Sequence, residues 1–299
     1  MRTLTISVAG GGALGIGPLA FLCRLESDLH GRKICDASYA YAGTSTGSII
    51  AAGLEEGYSA HDLFYLYKDN LQKIFTKYAW YQKLRPTCPK YDNSNLKKIL
   101  AEKFQGKIGQ IFQGKIHEWK KPIYIPTTCT NADESVEKVW DLGDKDIDKS
   151  FAILTSCSAP TYFDGIYDKN GKFYIDGGMW KNSPIDILNA GLINSGWSNF
   201  KILNLNTGMK TPNTFAGNKT LVGWAEYMIS DWIARTSESG LYEVRAIIGK
   251  DNVFNANPFV KKKPKMDDVS SDTIQSVIDI WQQYYDDNRK EILHFINEV

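Results

Sequence analysis

Apolar residues fall in short blocks, many of them set off by glycine, and the spacing inside each block assigns it. Leu4 to Ala9 is a brief apolar run that stops at Gly10-Gly11-Gly12, which predicts a buried strand. Ile16 to Leu29 comes next as a predicted helix, with Pro18 in its first turn, where a missing N–H costs little. Ser38 to Ala42 predicts a second strand, and the small, apolar Ser48 to Leu54 a second helix. This β-α-β-α opening implies an α/β fold, with a mostly parallel central sheet covered by helices on both faces. Leu63, Leu66, Tyr67, Leu71, Ile74 and Phe75 recur at helical spacing across 60–78 and read as a core-facing stripe. Asn93 to Phe104 predicts another helix, capped by Asp92 or Ser94. Pro122 to Thr130 and Val136 to Leu142 alternate like strands, Phe173 to Ile175 is a shorter one, and Ile202 to Asn206 is the last clear core strand. After about Thr211 the texture becomes helical. Trp224, Met228 and Trp232 stand four residues apart, and Thr273 to Asn297 predicts a closing helix capped by Ser271 or Asp272. The expected organisation is a principal α/β domain over 1–212 and a C-terminal helical extension over 213–299 packed on it.

Chemistry enters where the strands end. A strand that turns through Gly10-Gly11-Gly12-Ala13-Leu14-Gly15 into a helix leaves backbone N–H groups free at a positive helix end, a site for an anion or a developing oxyanion. Two readings compete. Gly10, Gly12 and Gly15 fit the dinucleotide fingerprint G-x-G-x-x-G, which also requires a carboxylate after the second strand. The second strand instead runs into Gly43-Thr44-Ser45-Thr46-Gly47, the G-x-S-x-G of a nucleophile elbow in its strand-to-helix context. In a parallel sheet the glycine loop and Ser45 would face each other across the same carboxyl edge. A third strand end carries Asp176-Gly177-Gly178, a carboxylate presented on a tight turn. A serine needs a base. None of His30, His61, His117 and His294 stands beside a strand end, although the order Ser–Asp–His keeps His294 in play. Asp176 is the better candidate, since burial can lift a carboxylate into the basic range.

Composition narrows the partners. A net charge of +1 gives no argument for a nucleic-acid polymer. The five scattered cysteines contain no C-x-x-C and read as buried thiols of a reducing compartment, with neither a disulfide framework nor a metal site. The first apolar run is too short for a signal peptide, and no stretch is long enough to span a membrane. The expectation is a cytoplasmic protein that acts peripherally on the inner membrane face. Tyr78-Ala79-Trp80-Tyr81 with Lys83, Arg85 and Lys90 suits a lipid interface or a lid as well as it suits a packed loop. Lys261-Lys262-Lys263-Pro264-Lys265 reads as a solvated loop, with a contact for phosphates as the minority reading.

Taken as an ordered set, G-G-G-A-L-G, G-T-S-T-G and D-G-G resemble the patatin-like phospholipase family over residues 4 to 206. Ala159-Pro160, Phe163 and Asn182-Ser183-Pro184 add to the likeness. The resemblance implies a three-layer α/β sandwich and a Ser45–Asp176 dyad without histidine. It implies an oxyanion hole from Gly10, Gly11, Gly12 and Ala13, with Gly43, Gly47, Gly177 and Gly178 shaping the turns, and hydrolysis of lipid acyl esters without metal or cofactor. Family members usually carry Arg or Lys where this chain has Leu14, which leaves the headgroup contact to Lys73, Lys77 or Arg85 or makes the chain a general lipid acyl hydrolase. Similar compact chains occur as effectors of bacterial cyclic-oligonucleotide antiphage systems. That context implies a cyclic oligonucleotide activator, a homo-oligomer and attack on the cell's own membrane phospholipid in antiviral defence. The alternatives are a constitutive esterase or lipase, a non-catalytic lipid-binding protein of the same fold and, least supported, a dinucleotide-binding oxidoreductase.

Overall fold

The computed structural model describes residues 2–78, 88–101, 112–130, 134–209, 224, 233–260 and 264–297. Strand β1 (Thr3–Val8) leads through a 3-10 turn (Gly12–Gly15) into α1 (Ile16–Asp28). A short α2 (Ile34–Ala37), β2 (Ser38–Gly43), α3 (Thr46–Glu55), α4 (Ala60–Ile74) and α5 (Ser94–Ala101) come after it. Next are β3 (Ile123–Thr130), β4 (Ser135–Trp140), α6 (Lys149–Ser156), β5 (Ile166–Tyr167), β6 (Phe173–Asp176), α7 (Ile185–Asn194) and β7 (Phe200–Leu205). The described chain closes with α8 (Ile233–Ile248), β8 (Val253–Ala256) and α9 (Ser271–Asn297).

The strands form one sheet in the order β5-β6-β3-β2-β1-β7-β8, with β4 also paired to β3. From β3 to β8 neighbouring strands run parallel, while β4, β5 and β6 join by antiparallel ladders. Alternation along the strands feeds two cores. Leu4, Ile6 and Val8 of β1 and Tyr41 of β2 belong to a large core under α1, α3, α4 and α9. Ala40 and Ala42 of β2 and Ile202 of β7 face a second core with Ile185 and Leu188 of α7 and Val244 of α8. This is the expected three-layer α/β arrangement.

Three expectations need correction. Ile202 to Asn206 is not the last core strand, because Val253–Ala256 pairs in parallel with β7 and extends the sheet. The C-terminal part is therefore not purely helical. At only four residues, Val-Phe-Asn-Ala is too short to show a period, and its Asn255 is held by the side chains of Asn204 and Asn206 at 2.7 and 2.9 Å. Phe151 to Ser158, a small apolar stretch to which the sequence assigns no element, is helical as far as Ser156 and leads directly toward the site. The cap of α9 is Ser270, whose carbonyl accepts the N–H of Ile274, supported by Asp268. Residues 79–81, Lys83 and Arg85, Met228 and Trp232, Lys261 to Lys263 and the 212/213 boundary lie outside the described residues; Trp224 is exposed.

Candidate active site

Ser45 sits between β2 and α3 at φ 54°, ψ −126°, a left-handed backbone that a non-glycine residue adopts only under constraint. The constraint is visible in the two flanking glycines. A Cβ on Gly43 would lie 2.1 Å from the Gly47 carbonyl oxygen, and one on Gly47 would lie 2.1 Å from that of Val8. The turn is pressed against its own helix and the end of β1, so G-x-S-x-G is a packing requirement here. Hydrogen bonds hold it there. Ser45 N–H donates to Ser156 Oγ at 2.9 Å, Ser156 Oγ donates to Pro126 O, and Thr44 Oγ1 donates to the Lys181 carbonyl. Nothing in the sequence marks Ser156, a serine at the end of an apolar stretch that carries no period.

Asp176 ends β6, which lies antiparallel to β3 with Asp176 opposite Thr127. Its backbone N–H donates to Ser158 O, and the residue is 4% exposed. Oδ1 accepts the Gly178 N–H at 2.6 Å, while Oδ2 is buried with no hydrogen-bond partner among the described residues. Gly177 and Gly178 form the turn that makes this bond. Burial pushes the carboxyl from an ordinary 3.8 up to about 7; the Gly178 N–H and the Ser45 hydroxyl pull the other way and lose. A carboxyl whose pKa is raised to about 7 beside a constrained serine has the chemistry a general base requires. Cys157, buried among the same groups, is not a rival nucleophile. Desolvation first and the Asp176 charge second push its thiol well above the usual range.

The glycine loop faces the elbow as expected, but two of its four assigned donors are engaged. Gly10 N–H donates to Asn182 O at 3.0 Å, and Ala13 N–H donates to Met266 O at 2.7 Å. The N–H groups of Gly11 and Gly12 make no bond among the described residues and remain available to an oxyanion. Gly10 is instead an anchor: its carbonyl accepts from Asn182 Nδ2 and Thr207 Oγ1, each at 3.3 Å. The Gly12 carbonyl is fixed from below by Tyr67 Oη at 2.6 Å and Thr46 Oγ1 at 3.0 Å. Periodicity placed Tyr67 in the core, where it is, but gave no sign that its hydroxyl reaches the loop. Leu14 is buried. Lys73 donates to Asn70 on its own helix, and Lys77 pairs with Tyr91 through the backbone.

No histidine joins this group. His61 contacts Glu26, His117 bonds to the Lys145 carbonyl, and His30 is exposed. His294 lies exposed near the end of α9, where Lys201 Nζ reaches the Phe295 carbonyl at 3.4 Å. Lys201 pairs with Leu4 near the start of β1, the sheet edge opposite Ser45. Among the described residues no cluster of three or more His, Cys, Asp or Glu is placed to hold a metal. No helix there is long and apolar enough to cross a membrane. An apolar cavity of about 40 Å³ opens beside Ser45, lined by Ile49, Phe75, Tyr162, Phe163 and Met266 among others. A cavity known to take a benzene ring measures about 150 Å³, so in this state the space beside Ser45 is small for an acyl chain.

The family model described as patatin-like phospholipase matches residues 6–189. A cGAMP-activated phospholipase of Escherichia coli is 30% identical over 199 residues, covering 61% of this chain and 54% of that protein. Patatin-like protein 2 of Arabidopsis thaliana is 26% identical over 292 residues, covering 83% of this chain and 69% of that one. The chain thus spans about half the length of the cGAMP-activated relatives it matches. Human GIVD cytosolic phospholipase A2 shares the fold, with a TM-score of 0.52 over 99% of this chain and 60% of that one at 9% identity. The family match takes in more than half the chain, from β1 through the elbow to the helix after the aspartate turn, and the chain belongs to the patatin-like phospholipase family.

Proposed function

We propose that this protein is a serine lipid acyl hydrolase of the phospholipase A type, working through Ser45 and Asp176. The observation that carries the reading is the pairing of a strained serine with a buried carboxyl raised to about 7 and free of any counter-ion among the described residues. Ser45 Oγ attacks the ester carbonyl as Asp176 takes its proton. Gly11 and Gly12 N–H hold the tetrahedral oxyanion. Asp176 then gives the proton to the departing lysolipid oxygen and later draws one from the water that cleaves the acyl-serine. Loss of one oxyanion donor in such a site costs about 3–4 kcal/mol. The test is fatty-acid release from mixed phospholipid vesicles. Ser45→Ala and Asp176→Ala should each abolish release while leaving the fold intact by circular dichroism. Release that survives Asp176→Ala would remove the dyad.

The bacterial relatives are named as cGAMP-activated. Together with the small cavity, that name supports a second step. We infer a cyclic nucleotide activator that drives a homo-oligomer to attack membrane phospholipid from the cytoplasmic side, in antiviral defence, with 1–212 as the catalytic domain and 213–299 as an extension of it. Running the vesicle assay and sedimentation across a panel of cyclic dinucleotides and trinucleotides decides it. Full activity without nucleotide would make the protein a constitutive lipase.

A further inference from the structure

One strap, residues 264–268, lies against the cavity beside Ser45. Met266 lines that cavity, and its carbonyl holds the Ala13 N–H of the glycine loop. A Cβ on Gly12 would lie 2.3 Å from the same carbonyl oxygen, so the strap is pressed against the loop. The next residue, Asp267, turns its carboxylate inward. It is ion-paired with Lys90 Nζ and accepts a hydrogen bond from Tyr91 Oη at 2.8 Å. Burial alone would raise this carboxyl's pKa, yet the Lys90 and Tyr91 bonds outweigh it and hold the group below its ordinary value. Lys90 rises in turn, first because of its bond to Asp267.

Lys90 and Tyr91 touch residues that line the cavity. Their N–H groups donate to Thr161 O and Tyr162 O at 2.9 and 2.8 Å. The Tyr91 ring meets Phe75 edge-on at 5.3 Å, and Lys90 Nζ lies 5.8 Å from the Tyr162 ring centroid. The Lys90 side chain is 47% exposed, against 4% for that of Asp267. Two successive residues of the strap therefore set a carbonyl oxygen on the Ala13 N–H and an anion on Lys90, beside the apolar cavity. A glycerophospholipid carries the same groups in the same order: an ester carbonyl and, a few bonds away, an anionic phosphate.

We propose that Lys90 and Tyr91 form the phosphate subsite of this protein, that Asp267 occupies it in the closed state, and that a lipid phosphate takes it by displacing the 266–267 strap and opening the cavity to the acyl chain. The proposal rests on the hydrolase reading above. A phosphate for a carboxylate on one ammonium is close to an even exchange, so burial of the acyl chain supplies the driving force. Inorganic phosphate shares the anion chemistry but brings no chain.

The experiment compares a short-chain soluble phosphatidylcholine with the matching diacylglycerol, which lacks the phosphate. Asp267→Asn loosens the strap and leaves Lys90 in place, so kcat/KM should rise on both substrates. Lys90→Met also loosens the strap but removes the cation. It should raise hydrolysis of the neutral ester as Asp267→Asn does, yet fall about tenfold below Asp267→Asn on the phospholipid. Lys90→Arg should restore the phospholipid rate. In the unsubstituted protein, inorganic phosphate should inhibit phospholipid hydrolysis and not inhibit that of the neutral ester, a readout independent of whether a variant folds. Equal effects of Lys90→Met and Asp267→Asn on both substrates would overturn the subsite, as would inhibition of both substrates by phosphate. Calorimetric binding of the same phosphatidylcholine to Ser45→Ala, with and without Lys90→Met, separates the two claims. Binding that needs Lys90 without any turnover in unsubstituted protein would sink the hydrolase and keep the subsite; binding indifferent to Lys90 would sink the subsite.

Discussion

The Asp176 carboxyl accepts the Gly178 N–H and meets the Ser45 hydroxyl but has no cation to pair with among the described residues, so its chemistry is set first by burial. Burial also fixes the sign of its pH effect. Its folded pKa, about 7, lies above the value of about 3.9 in an unfolded chain. Its contribution to stability is full below pH about 3.9 and is lost as pH rises through 7, at a cost on the order of 4 kcal/mol. On the proposed dyad, activity runs the other way, since only the carboxylate can accept the Ser45 proton. Fatty-acid release should therefore climb through a single ionisation near pH 7. Asp176→Asn should abolish it while raising the melting temperature at pH 8 and not at pH 4. A melting temperature lowered at pH 8 would mean that the carboxylate is stabilised by something other than its role as base. Tyr67 acts at the same scale in a quieter way. Tyr67→Phe removes one of two hydroxyls on the Gly12 carbonyl. The expected loss is about 1 kcal/mol in urea unfolding, with a larger drop in kcat than in KM, because Gly12 belongs to the loop proposed to hold the oxyanion.

Among the elements, the elbow explains why some of the site was legible and some was not. Gly43 and Gly47 are dictated by backbone atoms approaching to 2.1 Å, so the chemistry wrote itself into residue types at fixed spacing. Gly47→Ala should cost about 3 kcal/mol or fail to fold, measured by urea unfolding, because the obstacle is the Val8 carbonyl and not a flexible side chain. Asp176 was readable for a similar reason, as a carboxylate at a strand end with two glycines after it. Ser156, Tyr67, Met266 and Asp267 were not. Each reaches the site through a tertiary contact that no local pattern records, Ser156 across 111 residues and Met266 from the far end of the chain. The engagement of the Gly10 and Ala13 N–H groups in this state was hidden for the same reason: their acceptors, Asn182 and Met266, are distant in sequence. The parallel core of the sheet was legible because buried strands read as apolar runs. Strand β8 escaped, since four residues carry no period and the edge is secured by asparagine side chains.

At the scale of the molecule, the parallel strands collect the glycine loop and the elbow at one edge, and α9 ties that edge to the other. Its start adjoins the 264–268 strap at the site, and its end reaches Lys201 at the opposite edge. Between them α9 lies along α1. Trp281, 1% exposed, sits where a Cβ on Gly17 would be 2.1 Å from the indole Nε1, and Phe21 meets Trp281 and Tyr285 edge-on at 6.1 and 5.2 Å. The Arg289–Asp28 pair beside them is more than half exposed on the arginine side and contributes little. The weight of the contact rests on Trp281, and Trp281→Ala should cost about 3–5 kcal/mol in urea unfolding. If α9 also braces the strap, the same substitution should raise hydrolysis of a soluble neutral ester under native conditions, because a looser helix start lets Met266 leave Ala13. His294→Ala is the contrasting change on the same helix. It lies on an exposed surface at the far edge and should leave vesicle hydrolysis within about twofold of the unsubstituted protein. A large loss there, with Trp281→Ala merely unstable, would put the base on α9 and not on β6. Activity lost with Asp176→Ala and retained with His294→Ala would leave the carboxyl as the group that takes the serine proton.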